Sequence, residues 1–562
     1  MLEMIMKRTS RLVLPTAMGM GFFTGFLLSG CLAPDESSTS PTTTTSTGST
    51  SSTDTSTDTE STTDTESTSG STTDTDTTST SSSTTMDMSC LGPPTAENTI
   101  EKCGVFARAD ADPALADGTR EHPHPTLQAA IDEASAAGKR VFACTVAPFA
   151  ESVLVDARLE IWGGVDCTDD WSYTPTSRTV LNAPVEQRAM TLSVNAGGSR
   201  IVSFYLEAPD AVSPGGSSIP IVADKGDKET TFWRCDVVAG NGKDGAHGAP
   251  PGPAAPAGDD ATLPGVAGGP TAACFVGSVS GGSAGSSTCD DGQTIGGKGG
   301  NGGAMPSGAG QIGQDGAPAP SPNPSLFGLG GDGQSAVFGC ESGAAGSAGM
   351  LGVHGLGAAN KGMATINGIT AVDGFPGAPG VRGQGGGGGG GAKAGAFCTL
   401  GLLPGVGASG GGGGAGGCGG KGGNPGLSGG SSIGVISLGS DIRMLESTVT
   451  TGDGGNGGDG AAGQSGGVGG QGAPGGVASG FGSSAPGCAG GDGGIGGIGG
   501  SGGGGRGGHS IGIVYFIPFG PAWEGSSWFI GLQGTGGKGG PGNEVAGKGQ
   551  NGAKDAQRNF AN

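Results

Sequence analysis

The sequence predicts an all-β protein: a module of short strands, glycine-rich repeat extensions and a disordered N-terminal stalk. Three observations predict it. Glycine supplies 129 of the 562 residues, whereas only 14% are charged and 5% aromatic. That balance marks a glycine-periodic or low-complexity chain rather than an ordinary core. Next, a strand followed by a glycine ladder recurs within the chain. Met444 to Gly460, MLESTVTTGDGGNGGDG, aligns without gaps with Phe232 to Gly248, FWRCDVVAGNGKDGAHG. Gly452, Gly454, Gly457 and Gly460 then fall on Gly240, Gly242, Gly245 and Gly248. A third copy begins at Trp528 and runs through Gly534, Gly536, Gly539 and Gly542, and a weaker fourth spans Ile366 to Gly380. Finally, Gly occurs at every third residue from Gly374 to Gly389, from Gly454 to Gly475 and from Gly487 to Gly508.

The chain opens with Lys7, Arg8 and Arg11, an apolar run from Leu12 to Leu28, and then Leu28-Ser29-Gly30-Cys31. This box resembles a bacterial lipoprotein signal. The resemblance implies that residues 1–30 are removed and that Cys31 carries the lipid, which anchors the chain to a membrane. Leu32 beside the box implies the outer membrane or cell surface. An ordinary transmembrane anchor with a chance cysteine is the alternative. Residues 31–89 form the expected tether. Thirty-nine of the 49 positions from 37 to 85 are Ser or Thr, and seven are spaced acids. Such a segment cannot bury apolar surface and stays disordered. About 55 residues of coil span roughly 40 Å, and charge repulsion extends them further.

A conventional core is expected only in residues 90–240. Thr126 is placed as an N-cap and Gly138 as a helix stop. Between them Leu127, Ala130, Ile131 and Ala134 make one apolar stripe. Short β runs follow at 140–144, 152–155, 159–162, 178–181, 190–194 and 200–206, separated by Gly, Pro, Asn and Asp. Gly118-Thr119, Thr126 to Ile131, Glu151 to Val155 and Ile161 to Gly164 come in an order that resembles the N-terminal end of right-handed parallel β-helix proteins. The resemblance implies stacked coils with a helix covering the open end, which would otherwise be an aggregation edge.

Residues 241–430 are expected as a Gly-rich region and 431–562 as strand-plus-ladder repeats. A strict glycine period of three suits left-handed three-residue helices, close enough to bond across as polyglycine-II ladders. A disordered coil and a collagen triple helix are the alternatives. Apolar strands such as Ile433 to Ile436 and Ile511 to Phe519 argue against the coil, and the scarcity of Pro-bearing triplets argues against collagen. The lipobox, the stalk and the strand-plus-ladder pattern together resemble the PGRS-like Gly-rich surface lipoproteins of myxobacteria. The PE domain of mycobacterial PE-PGRS proteins has no counterpart here, and the resemblance brings no established activity.

The formal net charge of −22 sets aside nucleic acid, whose binders present a basic face. In an exported chain the cysteines are disulfide candidates. Neighbours in sequence suggest Cys90 with Cys103, Cys144 with Cys167, Cys274 with Cys289, and Cys398 with Cys418. With Cys31 lipidated, eleven cysteines remain, so at least one is unpaired. Gly454 to Ala462 loosely fits the nonapeptide that binds Ca²⁺ in RTX repeats, without tandem recurrence; exposed ladder positions are the simpler account of its Asp and Asn. No other cofactor or metal is expected. Asp166, Asp169 and Asp170 form an acid cluster beside Trp162, Trp171 and Tyr173. The rings could stack on sugars or fill the interior, and the acids could simply make a turn. The expectation is therefore a lipid-anchored, non-enzymatic structural or interaction protein of the envelope. Polysaccharide or a surface protein would be its partner. A carbohydrate-binding or carbohydrate-active β-helix protein is the alternative.

Overall fold

The computed structural model describes residues 88–265, 278–304, 308–370, 372–395, 405–478, 485–518 and 520–561. Cys31, the signal segment and nearly all of the tether lie outside the described residues, as do Cys274 and Cys398.

The helix spans Leu127–Ala137 between the two predicted caps. Thr126 accepts the Ala129 N–H, and Gly138 sits at φ 63°. The helix buries Leu127, Ala130, Ile131 and Ala134 against Val105 and Val141. Glu151 completes its N-terminus by accepting the N–H groups of Leu127 and Gln128 at 2.7 and 3.2 Å.

Three parallel sheets make the core. One orders Gly104–Ala107, Arg140–Cys144, Glu160–Asp166, Arg200–Val202, Thr230–Trp233, Ile442–Leu445 and Ala522–Glu524, with Ser172–Tyr173 folded back antiparallel on Glu160–Asp166. A second orders Val153–Val155, Met190–Leu192, Ile221–Ala223, Ser432–Ser437, Ser510–Tyr515 and Lys554–Asn559. The third orders Thr179–Asn182, Phe204–Ala208, Asp236–Ala239, Thr448–Thr451 and Ser527–Phe529. From Val153 onward the chain visits the second, first and third sheets in turn, and each round adds one strand to each. Alternation along the strands sends Ile161, Ile201, Phe232, Val237, Val435 and Val449 into one shared core. Burying a side chain of this size contributes about 1.5–3 kcal/mol.

The bend from the first to the third sheet is a stacked left-handed residue. Ser203, Arg234, Glu446 and Gly525 have φ of 56°, 54°, 46° and 61°. Beside this column, the Ser526 hydroxyl accepts the Ser447 N–H, and the Ser447 hydroxyl accepts the Cys235 N–H.

The glycine segments leave the strand stack at one recurring place, after third-sheet strands ending at Ala239, Thr451 and Phe529. Residues 90–240 and 431–562, set apart in sequence, therefore share all three sheets, and 241–430 is an insertion between consecutive strand rounds. The expected fourth copy departs from this pattern. Met363–Thr365 and Gly368–Thr370 pair with each other as an antiparallel hairpin. Ala364, Ile366 and Ile369 of that hairpin pack on Ile219, Val222, Ile433 and Ile436, outside the second sheet.

Apart from the 363–370 hairpin and a second antiparallel hairpin, Ser286–Cys289 with Gly292–Ile295, the described residues of the ladders carry no strand or helix, yet they bond to one another at a three-residue step. Gly383, Gly386 and Gly389 donate to Gly417, Gly414 and Gly411; Gly385, Gly388 and Gly391 donate to Ala317, Gln314 and Gln311; Gly387 and Gly390 donate to Ala344 and Glu341. The same segment accepts from Gly297 and Gly300, from Gly331 and Gln334, and from Cys488, Gly491 and Gly494. One extended segment is thus surrounded by six others. A Cβ on any residue from Gly385 to Gly391 would come closer than 3.0 Å to the backbone of a neighbour.

Candidate functional site

The aromatic–acid cluster, open in sequence to a sugar platform or to interior packing, is brought together as packing. Glu160–Asp166 points Ile161 into the shared core and Trp162 outward, beside Val202 of the next strand. The segment between Asp166 and Tyr173 then folds back over that outer face, tied by the Cys144–Cys167 disulfide. Trp162 is 0% and Trp171 5% exposed, in one cluster with Phe106, Phe142 and Val165. Trp171 meets Phe106 edge-on at 4.7 Å, and Tyr173 meets Trp162 edge-on at 5.4 Å. Neither tryptophan has a ring face free to stack on a sugar. This corrects the sugar-stacking expectation, and Tyr173 alone of the three rings keeps partial exposure.

The three acids serve the turn. Asp166 accepts the Thr168 N–H and hydroxyl at 2.9 and 2.7 Å, and these bonds hold its carboxyl below the usual range. Asp169 accepts the Ser172 hydroxyl at 2.9 Å. Asp170 pairs with Arg120, and both Asp170 and Trp171 take left-handed φ values of 47° and 56°. The acids are consumed separately and do not converge on a shared point.

The sequence reading missed the arginines that complete this face. Arg140 is 2% exposed; it pairs with Glu160 at 3.0 Å, donates to the Cys90 and Gly92 carbonyls, and lies over Phe142 and Trp162. Arg200 spans Trp162 and Trp233, 5.5 and 4.6 Å from the ring centres. Stacking on aromatic faces is what a guanidinium does well. The available signal was the register that sets Glu160 against Arg200 and Trp162 against Val202, which needs the sheet and not the sequence alone.

The ladder acids also have a structural occupation. Asn241, Asp244 and His247 accept the N–H groups of Asp453, Asn456 and Asp459 at 2.7, 2.5 and 2.9 Å. In turn Asp453, Asn456 and Asp459 accept from Leu532, Thr535 and Lys538 at 2.7, 3.0 and 2.6 Å. Asn456 and Asp459 of the Ca²⁺-candidate nonapeptide are therefore engaged by the next layer. Among the described residues no group of three or more His, Cys, Asp or Glu gathers to hold a metal.

Cys90 joins Cys103 and Cys144 joins Cys167, within the short loops suggested by sequence. Two other suggestions are corrected, because Cys289 joins Cys418, 129 residues away, and so is not the partner of Cys274, nor Cys418 of Cys398. Cys340 joins Cys488 across 148 residues. Ladders distant in sequence are neighbours in the bundle, so nearness along the chain fails there as a guide. Cys235 is free and buried, and burial pushes its thiol up to about 12.

The fold and site thus define an all-β chain on parallel sheets with hydrogen-bonded glycine ladders. No family model, no curated protein and no solved structure matches it.

Proposed function

We propose that this chain is a lipid-anchored structural or interaction protein of the bacterial envelope, of the PGRS-like surface lipoprotein kind. In this reading Cys31 holds the lipid, the Ser/Thr/Asp-rich tether spaces the folded part from an outer membrane, and the strand stack is a right-handed parallel β-helix. The ladders are a polyglycine-II bundle grown from one corner of it. The observation that carries the reading is the six-neighbour glycine segment at 383–391, hydrogen-bonded on every face. A chain that spends so many residues on a close-packed bundle gains a stiff, broad outer surface rather than an enclosed reaction chamber. Its exposed ladders repeat similar weak contacts, and repetition converts weak contacts into avidity. The carbohydrate-active alternative loses the site the sequence offered it, since Trp162 and Trp171 are buried and Asp166, Asp169 and Asp170 are each engaged separately in the turn.

The test is expression of the full chain and a Cys31→Ser variant in a Gram-negative host, with labelled palmitate and protease added to intact cells. The expected result is label on the wild type only, loss of the variant from the membrane fraction, and cleavage in the tether. A variant that stays membrane-bound, or a wild type without label, refutes the anchor.

A further inference from the structure

A cleft of about 380 Å³ opens where the chain passes from the third sheet to the second. The turn before Met190–Leu192, the turn before Ile221–Ala223 and the tip of the 363–370 hairpin border it. Ile219 and Ile369 give it an apolar side, and Arg188, Gln187, Ser213 and Asn367 line the rest.

Arg188 is the anomaly. Eight other arginines of the described residues are ion-paired: Arg108, Arg120, Arg140, Arg178, Arg234, Arg382, Arg443 and Arg558. Arg158 and Arg506 donate to backbone carbonyls, and Arg200 lies on tryptophan rings. Among the described residues only Arg188 has no such partner, although it is half-buried and burial lowers its pKa. Its nitrogens remain open to the cleft and committed to no protein group. The acid in the same cleft, Glu186, is already engaged. It accepts the Ser213 N–H at 2.6 Å, and the bonds from Ser213 hold its carboxyl below the usual range. The side-chain amides of Gln187 and Asn367 have no hydrogen-bond partner among the described residues. The cleft therefore offers one uncommitted planar cation, two amides able to meet hydroxyls, and an aliphatic wall.

We propose that this cleft binds a small hydroxy-carboxylate, either a sugar acid or a short hydroxy acid, with the carboxylate on the Arg188 guanidinium and the hydroxyls on Gln187 and Asn367. The fork geometry of arginine matches a carboxylate through two parallel hydrogen bonds. The volume admits a single sugar ring with water. The site stands on its own residues and is independent of the lipid anchor.

The test is calorimetric titration of the full-length chain with D-glucuronate, L-lactate and neutral D-glucose at constant ionic strength. The expected result is saturable binding of a carboxylate and much weaker binding of glucose. The tighter of glucuronate and lactate names the source. Arg188→Gln should weaken binding at least about tenfold, with Arg188→Lys intermediate because it keeps the charge and loses the fork. Having no partner to lose, Arg188→Gln should melt with the wild type. Should it not fold, Asn367→Ala on the exposed hairpin tip carries the test, weakening glucuronate more than lactate. The proposal is overturned if neither carboxylate saturates by about 10 mM, weaker than a specific small-ligand site would show. It is equally overturned if glucose binds as tightly, or if Arg188→Gln binds like the wild type.

Discussion

Replacing Gly388 by Ala tests the glycine bundle at its centre. The added Cβ would lie 2.5 Å from the Lys298 carbonyl carbon and 2.9 Å from the Gly299 nitrogen, and closer still to the Lys298 oxygen. Ordinary contact begins at 3.4 Å, so one ladder must retreat by about an ångström. The obstacle is backbone, which has no rotamer to change. Retreat also stretches the bonds that Gly388 makes to Gln314 and receives from Gly331. Overpacking of a well-filled interior costs about 1–3 kcal/mol, and each weakened backbone hydrogen bond adds about 0.5–1.5 kcal/mol. Against this, alanine stiffens the unfolded chain and returns about 0.4–1 kcal/mol. The expected net loss is about 3 kcal/mol. Gly339 is the control, since a Cβ there meets nothing within 4 Å. Gly339→Ala should be neutral or stabilising by up to about 1 kcal/mol. Thermal melts of both variants against the wild type, with amide exchange of the ladders, read the difference. If Gly388→Ala melts with the wild type, the glycines are not required by packing and the bundle reasoning fails.

Two further outcomes follow from buried groups. His509 is buried with Nε2 donating to the Lys361 carbonyl at 2.9 Å and Nδ1 accepting the Ala553 N–H at 2.9 Å, and burial lowers its pKa from 6.5 to about 4, with Arg506 and Arg558 adding to the shift and Asp555 opposing it. The unfolded chain therefore takes up this proton first as pH falls, and stability drops between pH 6.5 and about 4, by about 3 kcal/mol in all. Below that window both states are protonated and the loss stops growing. His509→Gln should flatten the pH dependence of the melt across this window, and an unchanged slope would count against the assignment. Cys235 should resist iodoacetamide at pH 8 in the native protein and react once denatured, because its thiol is buried and raised to about 12. Cys235→Ser should cost less than about 1.5 kcal/mol, the size of one net hydrogen bond, since its hydroxyl can donate to the Ile201 or Trp233 carbonyl that the thiol now meets and Ser447 and Ser526 occupy the equivalent place in the column; rapid native labelling would show that the column opens.

Much of the strand module was legible because its signals are local. Thr126, Gly138 and the Leu127–Ala134 stripe fix a helix within one short window, and they do so in the structure. The repeat register was legible too, since the copies that align at Asn241 and Asp453 become adjacent layers joined by a hydrogen bond. What escaped was every relation between ladders. Cys289 finds Cys418 and Cys340 finds Cys488, and no period-three pattern says which ladder lies beside which. The aromatic cluster failed for a related reason. Alternation tells that Ile161 and Trp162 face opposite ways, but not that the Asp166–Tyr173 fold-back covers the outer side. The sequence therefore leaves an outward tryptophan open to either a surface or an interior place, and the chain's own fold-back decides for the interior.

Glycine density nevertheless carries more information than composition suggests. Successive residues of a ladder triplet bond to different neighbours, as Gly385, Gly386 and Gly387 do to Ala317, Gly414 and Ala344, so a side chain is excluded only in directions occupied by a neighbouring backbone. The segment 346–355, GSAGMLGVHG, keeps Gly at one position per triplet, and those glycines meet the 375–384 and 494–503 backbones. Its other positions carry Met350, Leu351 and Val353, all exposed. The segment 385–391 is glycine at all three positions and has neighbours on every side. The number of glycines per triplet thus reads as the number of buried faces. One glycine in three marks an edge ladder with two faces free for contacts, and unbroken glycine marks the interior. On this rule the 454–475 and 487–508 ladders, whose triplets mix one and two glycines with an occasional three, lie between edge and centre, as their contacts with Gly430, Leu427 and Gly508 on one side and with solvent at Val468, Ile495 and Ile498 on the other require.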